Sequence, residues 1–119
     1  MGREIKFRGW NGNKMFDVNE ISWASSTKIM WFADSHVRGE HPVEPLMQFT
    51  GLFDKNGKEI FHSDLIRDDA GYLWQVSDGY DGFYLLSVEL DIMPDRRISE
   101  RLKYLEVIGN IYESNLVTP

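Results

Sequence analysis

Polar and apolar residues alternate in short bursts along this chain, and glycine-bearing turns separate the bursts. Glu4-Ile5-Lys6-Phe7-Arg8 alternates at period two, the signature of a half-buried strand with Ile5 and Phe7 facing inward. Asn11-Gly12-Asn13-Lys14 supplies a turn whose Asn-Gly pair tolerates positive φ, and Met15-Phe16-Asp17-Val18 returns as the partner strand. The N-terminus therefore reads as a hairpin. Ile21 and Trp23 alternate next, Ser25-Ser26-Thr27 marks a turn, and Lys28-Ile29-Met30-Trp31-Phe32 forms a short apolar strand. Residues 33–45 hold Gly39, Pro42, Pro45 and two of the three histidines, which predicts an exposed, flexible loop.

Residues 46–69 organise the rest. Two apolar runs, Leu46-Met47-Gln48-Phe49 and Ile60-Phe61 continuing to Leu65-Ile66, flank Asp54-Lys55-Asn56-Gly57-Lys58, and this predicts a central hairpin. Asp68-Asp69-Ala70-Gly71 turns the chain again, and Tyr72-Leu73-Trp74-Gln75-Val76 places Tyr72, Trp74 and Val76 on one face of a strand. After a turn at Asp78-Gly79-Tyr80-Asp81-Gly82 comes a strand from Phe83 to Leu90. Ile98, Leu102 and Leu105 fall at i, i+4 and i+7, the spacing of one short amphipathic helix capped near Ser99. A last strand covers residues 106–112, and residues 114–119 form a polar tail. Closely spaced strands without alternating helices predict a mainly β fold: a small, partly open antiparallel barrel with one short helix near the C-terminus, in a single domain over residues 1–119. Exposed sheet edges make a homo-oligomer the expected assembly.

Composition narrows the chemistry. With 119 residues, 42% hydrophobic and 27% charged, the chain can bury a core without staples and lies outside the regime of disorder. It has no cysteine, which excludes disulfides, thiolate nucleophiles and cysteine-ligated metal. No apolar run approaches the roughly 20 residues of a membrane-spanning helix, and the start lacks the apolar core of a signal peptide, so the cytoplasm is the expected compartment. The net charge is -6, which opposes non-specific attraction to a polyanion. Lys and Arg against Asp and Glu number six to five over residues 1–40, three to seven over 41–80 and four to seven over 81–119, so the acidity begins in the central hairpin.

Candidate chemistry is sparse. No glycine-rich phosphate loop is present. If Gly57 took the sixth position of a calcium loop, the first and twelfth would be Leu52 and Ser63, where carboxylates are needed, so Asp54 reads as a solvated turn residue. Asp78-Gly79-Tyr80-Asp81 fails the same test. His36, His41 and His62, with Asp64 or Glu40, lack the spacing of a metal site, and loop histidines are the simpler reading. His62-Ser63-Asp64 contains the letters of a catalytic triad, but neighbours in an extended chain point to opposite faces. Glu59 and Asp64 read as solvated acids rather than a catalytic pair. Trp10, Trp23, Trp31, Trp74, Phe7, Phe49, Tyr72 and Tyr84 could offer a stacking platform for single-stranded nucleic acid, but core or subunit interface explains them better. The cations of such a platform would be Arg3, Lys6, Arg8 and Lys14, or the cluster of Arg96, Arg97, Arg101 and Lys103, which reads as a solvated helix face. No catalytic, cofactor-binding or metal-binding residue is assigned, and no cofactor is expected.

Three blocks in order carry a family likeness: Arg3-Glu4-Ile5-Lys6-Phe7-Arg8-Gly9-Trp10, then Gln48-Phe49-Thr50-Gly51-Leu52-Phe53-Asp54-Lys55-Asn56-Gly57-Lys58-Glu59-Ile60-Phe61, then Val107-Ile108-Gly109-Asn110-Ile111-Tyr112-Glu113. With them the chain resembles the YopX family of small phage and prophage proteins over nearly its whole length. That resemblance implies a mainly β, oligomeric protein and supplies no catalytic residues. Two departures stand out: Gly9 where the family usually has Ala, and His62-Ser63-Asp64 where it usually has Glu-Gly-Asp. The second bears on turn geometry, because glycine uses φ values that Ser63 resists. The expected function is a non-enzymatic, self-associating protein-binding module with a phage or host protein as partner and no membrane contact. The alternatives are a single-stranded nucleic-acid module, disfavoured by the net charge, and an enzyme with a site built from Asp64, His62 and loop acids.

Overall fold

The computed structural model describes residues 5–23, 28–41, 43–79 and 82–113. The predicted turn at residues 25–27 and the predicted tail at 114–119 lie outside the described residues. The chain is mainly β, with three antiparallel sheets, and falls into two compact units, residues 1–49 and 50–119. Among the described residues no sheet closes into a barrel.

In the first unit, β1 (Phe7–Trp10) pairs antiparallel with β2 (Met15–Val18) in the register Phe7↔Val18 to Trp10↔Met15, as the Asn-Gly turn predicts. Gly12 takes φ +94°, and the Asn11 side chain accepts hydrogen bonds from the Asn13 and Lys14 amides at 3.0 and 2.9 Å. Ile5, expected to face inward, is 79% exposed. A second sheet runs β3 (Glu20–Trp23), β4 (Ile29–Ala33), β5 (His36–His41). Strand β5 occupies the stretch expected to be an exposed loop. Asp34 and Ser35, at φ +54° and +65°, make the two-residue turn that joins it to β4. Both central residues at positive φ define the turn type whose twist matches a hairpin, here without the glycine that would announce it.

Trp31 of β4 explains the packing of this unit. Its side chain is fully buried and covers two glycines, Gly9 of β1 and Gly39 of β5; a Cβ on either would fall 2.6 or 2.1 Å from the indole. The Phe16 ring lies 6.2 Å away at a tilt of 52°, and the indole N–H donates to the Glu44 carbonyl at 3.3 Å. Met47 and Phe49, on the first half of β6 (Leu46–Phe53), complete this buried set.

The second unit begins in the other half of β6, which lies beside β7 (Glu59–Phe61) across the predicted central turn. Strands β8 (Asp64–Arg67), β9 (Leu73–Gly79), β10 (Gly82–Ser87) and β11 (Glu106–Asn110) form a sheet in the order β10-β9-β8-β11. Its core holds Ile60, Ile66, Trp74, Val76, Leu85, Ile98, Leu105 and Val107. Of the three residues expected on one face, Trp74 and Val76 are buried, whereas Tyr72 precedes the strand and is 48% exposed. Of the turn expected at residues 78–82, Asp78 and Gly79 belong to β9 and Gly82 to β10, and residues 80–81 lie outside the described residues.

The predicted helix near the C-terminus is instead two 3₁₀ turns, Ile98–Glu100 and Leu102–Tyr104. The apolar spacing was a true packing signal, since Ile98 and Leu105 are buried and Leu102 packs against them. No side chain caps either turn, and so short a segment gains too little from propagation to offset helix nucleation. Among the described residues no helix is long and apolar enough to cross a membrane.

Candidate functional site

Two hairpin turns of the second unit share one construction. In Asp54-Lys55-Asn56-Gly57-Lys58, the Asp54 amide donates to the Lys58 carbonyl (2.8 Å), the Gly57 amide donates to the Asp54 carbonyl (3.0 Å), and Gly57 sits at φ +80°. One carboxylate oxygen of Asp54 accepts from the amides of Asn56 and Lys58 at 2.8 and 2.9 Å. Fourteen residues on, Asp68-Asp69-Ala70-Gly71-Tyr72 repeats every one of these bonds: Asp68 amide to Tyr72 carbonyl, Gly71 amide to Asp68 carbonyl, and Ala70 and Tyr72 amides to the Asp68 carboxylate, with Gly71 at φ +90°. Each is a type I turn followed by a left-handed glycine.

The second carboxylate oxygen then reaches across the unit. That of Asp54 accepts from the Val107 amide at 2.8 Å and ties the turn to β11. That of Asp68 accepts from the Trp74 indole N–H at 3.0 Å and from Arg101 at 3.2 Å. Burial pushes both carboxyls up, but their donors outweigh it and hold both below the ordinary 3.8: for Asp54 chiefly the Val107, Lys58 and Asn56 amides, for Asp68 the Trp74 indole, the Tyr72 amide and Arg101. Asp54, expected as a solvated turn residue, is thus a buried staple, 6% exposed.

Asp64 is likewise structural: it is buried and accepts the Phe61 amide at 2.7 Å. Beside it, Ser63 Oγ lies 3.0 Å from His62 Nδ1, and His62 Nε2 lies 3.1 Å from Asp78. This Ser63–His62–Asp78 row has the members of a triad, with Asp78 in place of the Asp64 that the sequence suggested. A serine nucleophile must reach a substrate carbonyl, and Ser63 is wholly buried. Its φ of +74° is the conformation that the departure from the family's glycine put at issue.

No group of three or more histidine and carboxylate side chains suited to a metal ion occurs among the described residues. His36 and His41 stand at opposite ends of β5, roughly 16 Å apart at the usual strand rise. Of the aromatics in the expected platform, Trp23 and Tyr72 are 71% and 48% exposed. Trp31, Phe49 and Trp74 are buried in their cores, and the Tyr84 face is covered by Arg96 at 4.8 Å.

What the second unit does present is an open groove of about 730 Å³ beside Trp74, walled by the segment 92–97 and by Arg101. Asp95 sets its geometry. Its backbone exchanges two hydrogen bonds with Leu85 on β10, at 2.8 and 2.9 Å, so the segment is laid along that strand's edge. Its carboxylate accepts from the Arg97 amide and guanidinium (2.9, 3.1 and 3.2 Å) and from Arg101 (2.7 Å). Burial raises the Asp95 pKa, but these donors, Arg97 foremost, bring it down to about 2. Arg101 joins Asp95 to Asp68 and lies over the Trp74 ring at 5.7 Å. Around this ionic frame Ile92 and Met93 stay 51% and 83% exposed. In the first unit a hollow of about 270 Å³ lies between Phe7, Val18 and Ile21, with Lys6 and Glu20 at its sides. The sequence reading missed the groove because Asp95, Arg96 and Arg97 looked like a solvated interruption. The repeated Asp-x-x-Gly spacing at 54–57 and 68–71 was the available sign that the acids are structural.

Comparison with known proteins bears on the fold and the family. Curated proteins give no match. The crystal structure of protein EF1440 from Enterococcus faecalis has the same fold, with a TM-score of 0.67 at 22% identity over 99% of this chain and 100% of that one. The model of the YopX protein family matches residues 6–117, nearly the whole length, and the chain belongs to that family.

Proposed function

We propose that this chain is a non-enzymatic, phage- or prophage-derived module that self-associates and binds a phage or host protein in the cytoplasm. The observation that carries the reading is the division of labour in the second unit. Its buried carboxylates are occupied by main-chain amides, the indole of Trp74 and Arg101, while Ile92 and Met93 remain exposed on the rim of a groove. Exposed apolar residues beside fixed charges are the anatomy of a protein contact, and methionine adapts readily to a partner's shape. Self-association is supported by β3, which lies at the edge of its sheet with Trp23 71% exposed. Native mass spectrometry of the protein isolated from phage-carrying cells tests both parts. A homo-oligomer carrying an added protein mass is expected; a bare monomer at every concentration would overturn the reading.

A further inference from the structure

The chain carries two Asn-Gly pairs, Asn11-Gly12 and Asn56-Gly57, both exposed and both with the glycine at positive φ, +94° and +80°. Such a pair is open to attack of the backbone amide nitrogen on the asparagine side-chain carbonyl, because glycine has no Cβ to screen that nitrogen. Space does not tell the two pairs apart, since a Cβ on either glycine would meet nothing within 4 Å. Their hydrogen bonds do. The Gly57 amide donates to the Asp54 carbonyl at 3.0 Å, and the Asp54 carboxylate, which accepts from Asn56 and Lys58, opposes loss of the Gly57 amide proton. The Gly12 amide donates to nothing among the described residues, and its turn, Asn11-Gly12-Asn13-Lys14, holds no carboxylate. The two side-chain carbonyls differ as well. Asn11 Oδ1 accepts from the Asn13 and Lys14 amides at 3.0 and 2.9 Å, and the ring that these bonds close contains the Gly12 nitrogen. Two main-chain donors on a carbonyl oxygen polarise it and stabilise the oxyanion of a tetrahedral intermediate. Among the described residues none donates to the Asn56 side chain.

We propose that Asn11 is a deamidation site, set apart from Asn56 by the turn that holds it. The Gly12 nitrogen bonds to Asn11 Cγ and gives its proton to water; the Cγ–Nδ2 bond breaks, and Nδ2 takes a proton from water and leaves as ammonia. Water then opens the succinimide at Cγ, giving aspartate, or at the main-chain carbonyl, giving isoaspartate. Aspartate keeps the acceptor of the turn. Isoaspartate draws that acceptor into a main chain lengthened by one methylene, and so loosens the β1–β2 hairpin that carries Phe16 beside Trp31.

The test incubates the full chain in mildly alkaline buffer, native and in guanidinium chloride. Samples taken over time are cleaved next to aromatic residues and mapped by mass spectrometry, and enzymatic methylation marks isoaspartate. In the native chain Asn11 should convert about tenfold faster than Asn56, the factor that the hydrogen bond on the Gly57 amide is worth. In the denaturant the two rates should converge, because the turns that distinguish them are gone. Equal native rates, a faster Asn56, no native conversion at Asn11, or a ratio that the denaturant leaves unchanged would overturn the proposal.

Discussion

Replacing Asp54 by asparagine separates the two tasks of its carboxylate. The oxygen that accepts from Asn56 and Lys58 can be supplied by an amide, because Asn11 accepts from two turn amides in the same way. The oxygen that accepts from Val107 cannot: an amide NH₂ there would face the Val107 N–H, donor against donor. Val107 is 8% exposed, so its amide would be left buried and unmatched. A lost hydrogen bond to a charged acceptor with an orphaned buried donor costs about 1–3 kcal/mol, so Asp54→Asn should destabilise by about 2 kcal/mol. Asp54→Ala removes the turn bonds as well, but the turn amides are exposed and water can take them, so about 3–4 kcal/mol is expected in total. Urea unfolding monitored by tryptophan fluorescence gives both values, with unchanged m confirming that the unfolded states are comparable. The Asp54 pKa is lowered on folding, so its contribution is complete above the ordinary 3.8 and fades as pH falls through the depressed folded value. The gap between wild type and Asp54→Asn should close over that acid range. A gap under about 0.5 kcal/mol at neutral pH, smaller than the least cost of an orphaned amide, would refute the staple.

Other substitutions probe the remaining packing. Gly39→Ala would put a methyl 2.1 Å from the Trp31 indole and should lower stability by about 3 kcal/mol or abolish the native tryptophan emission; a loss near zero would mean that Trp31 does not lie on Gly39. Ser63→Gly and Ser63→Ala both remove the hydroxyl, but only glycine relaxes φ +74°, so the glycine variant should be the more stable by about 1 kcal/mol in the same urea assay. The Asp95 contribution should be lost as pH falls from 3.8 to about 2; after a discount for the exposed Arg97 it amounts to about 1 kcal/mol, measurable as acid-range stability lost in wild type but not in Asp95→Asn.

The hairpins were legible because Asn11-Gly12 and Asn56-Gly57 announce positive φ through residue type. The Asp34-Ser35 turn was not, since neither residue favours that region strongly, and Gly39 with two nearby prolines suggested a loop instead. Gly39 is in fact required by the Trp31 ring above it, a contact between strands that a local reading cannot see. Asp54 and Asp68 look like ordinary solvated turn acids until Val107 and Arg101 arrive from 53 and 33 residues away. Likewise the groove depends on the Asp95–Leu85 bridge, which no pattern in residues 92–97 implies.

The proposed self-association is tested most directly by sedimentation of the full chain beside its Trp23→Ser variant, because Trp23 is 71% exposed on the edge strand β3. An oligomer for the wild type and a weaker association for the variant are expected. A monomer at every concentration, or association unchanged in the variant, would contradict the account.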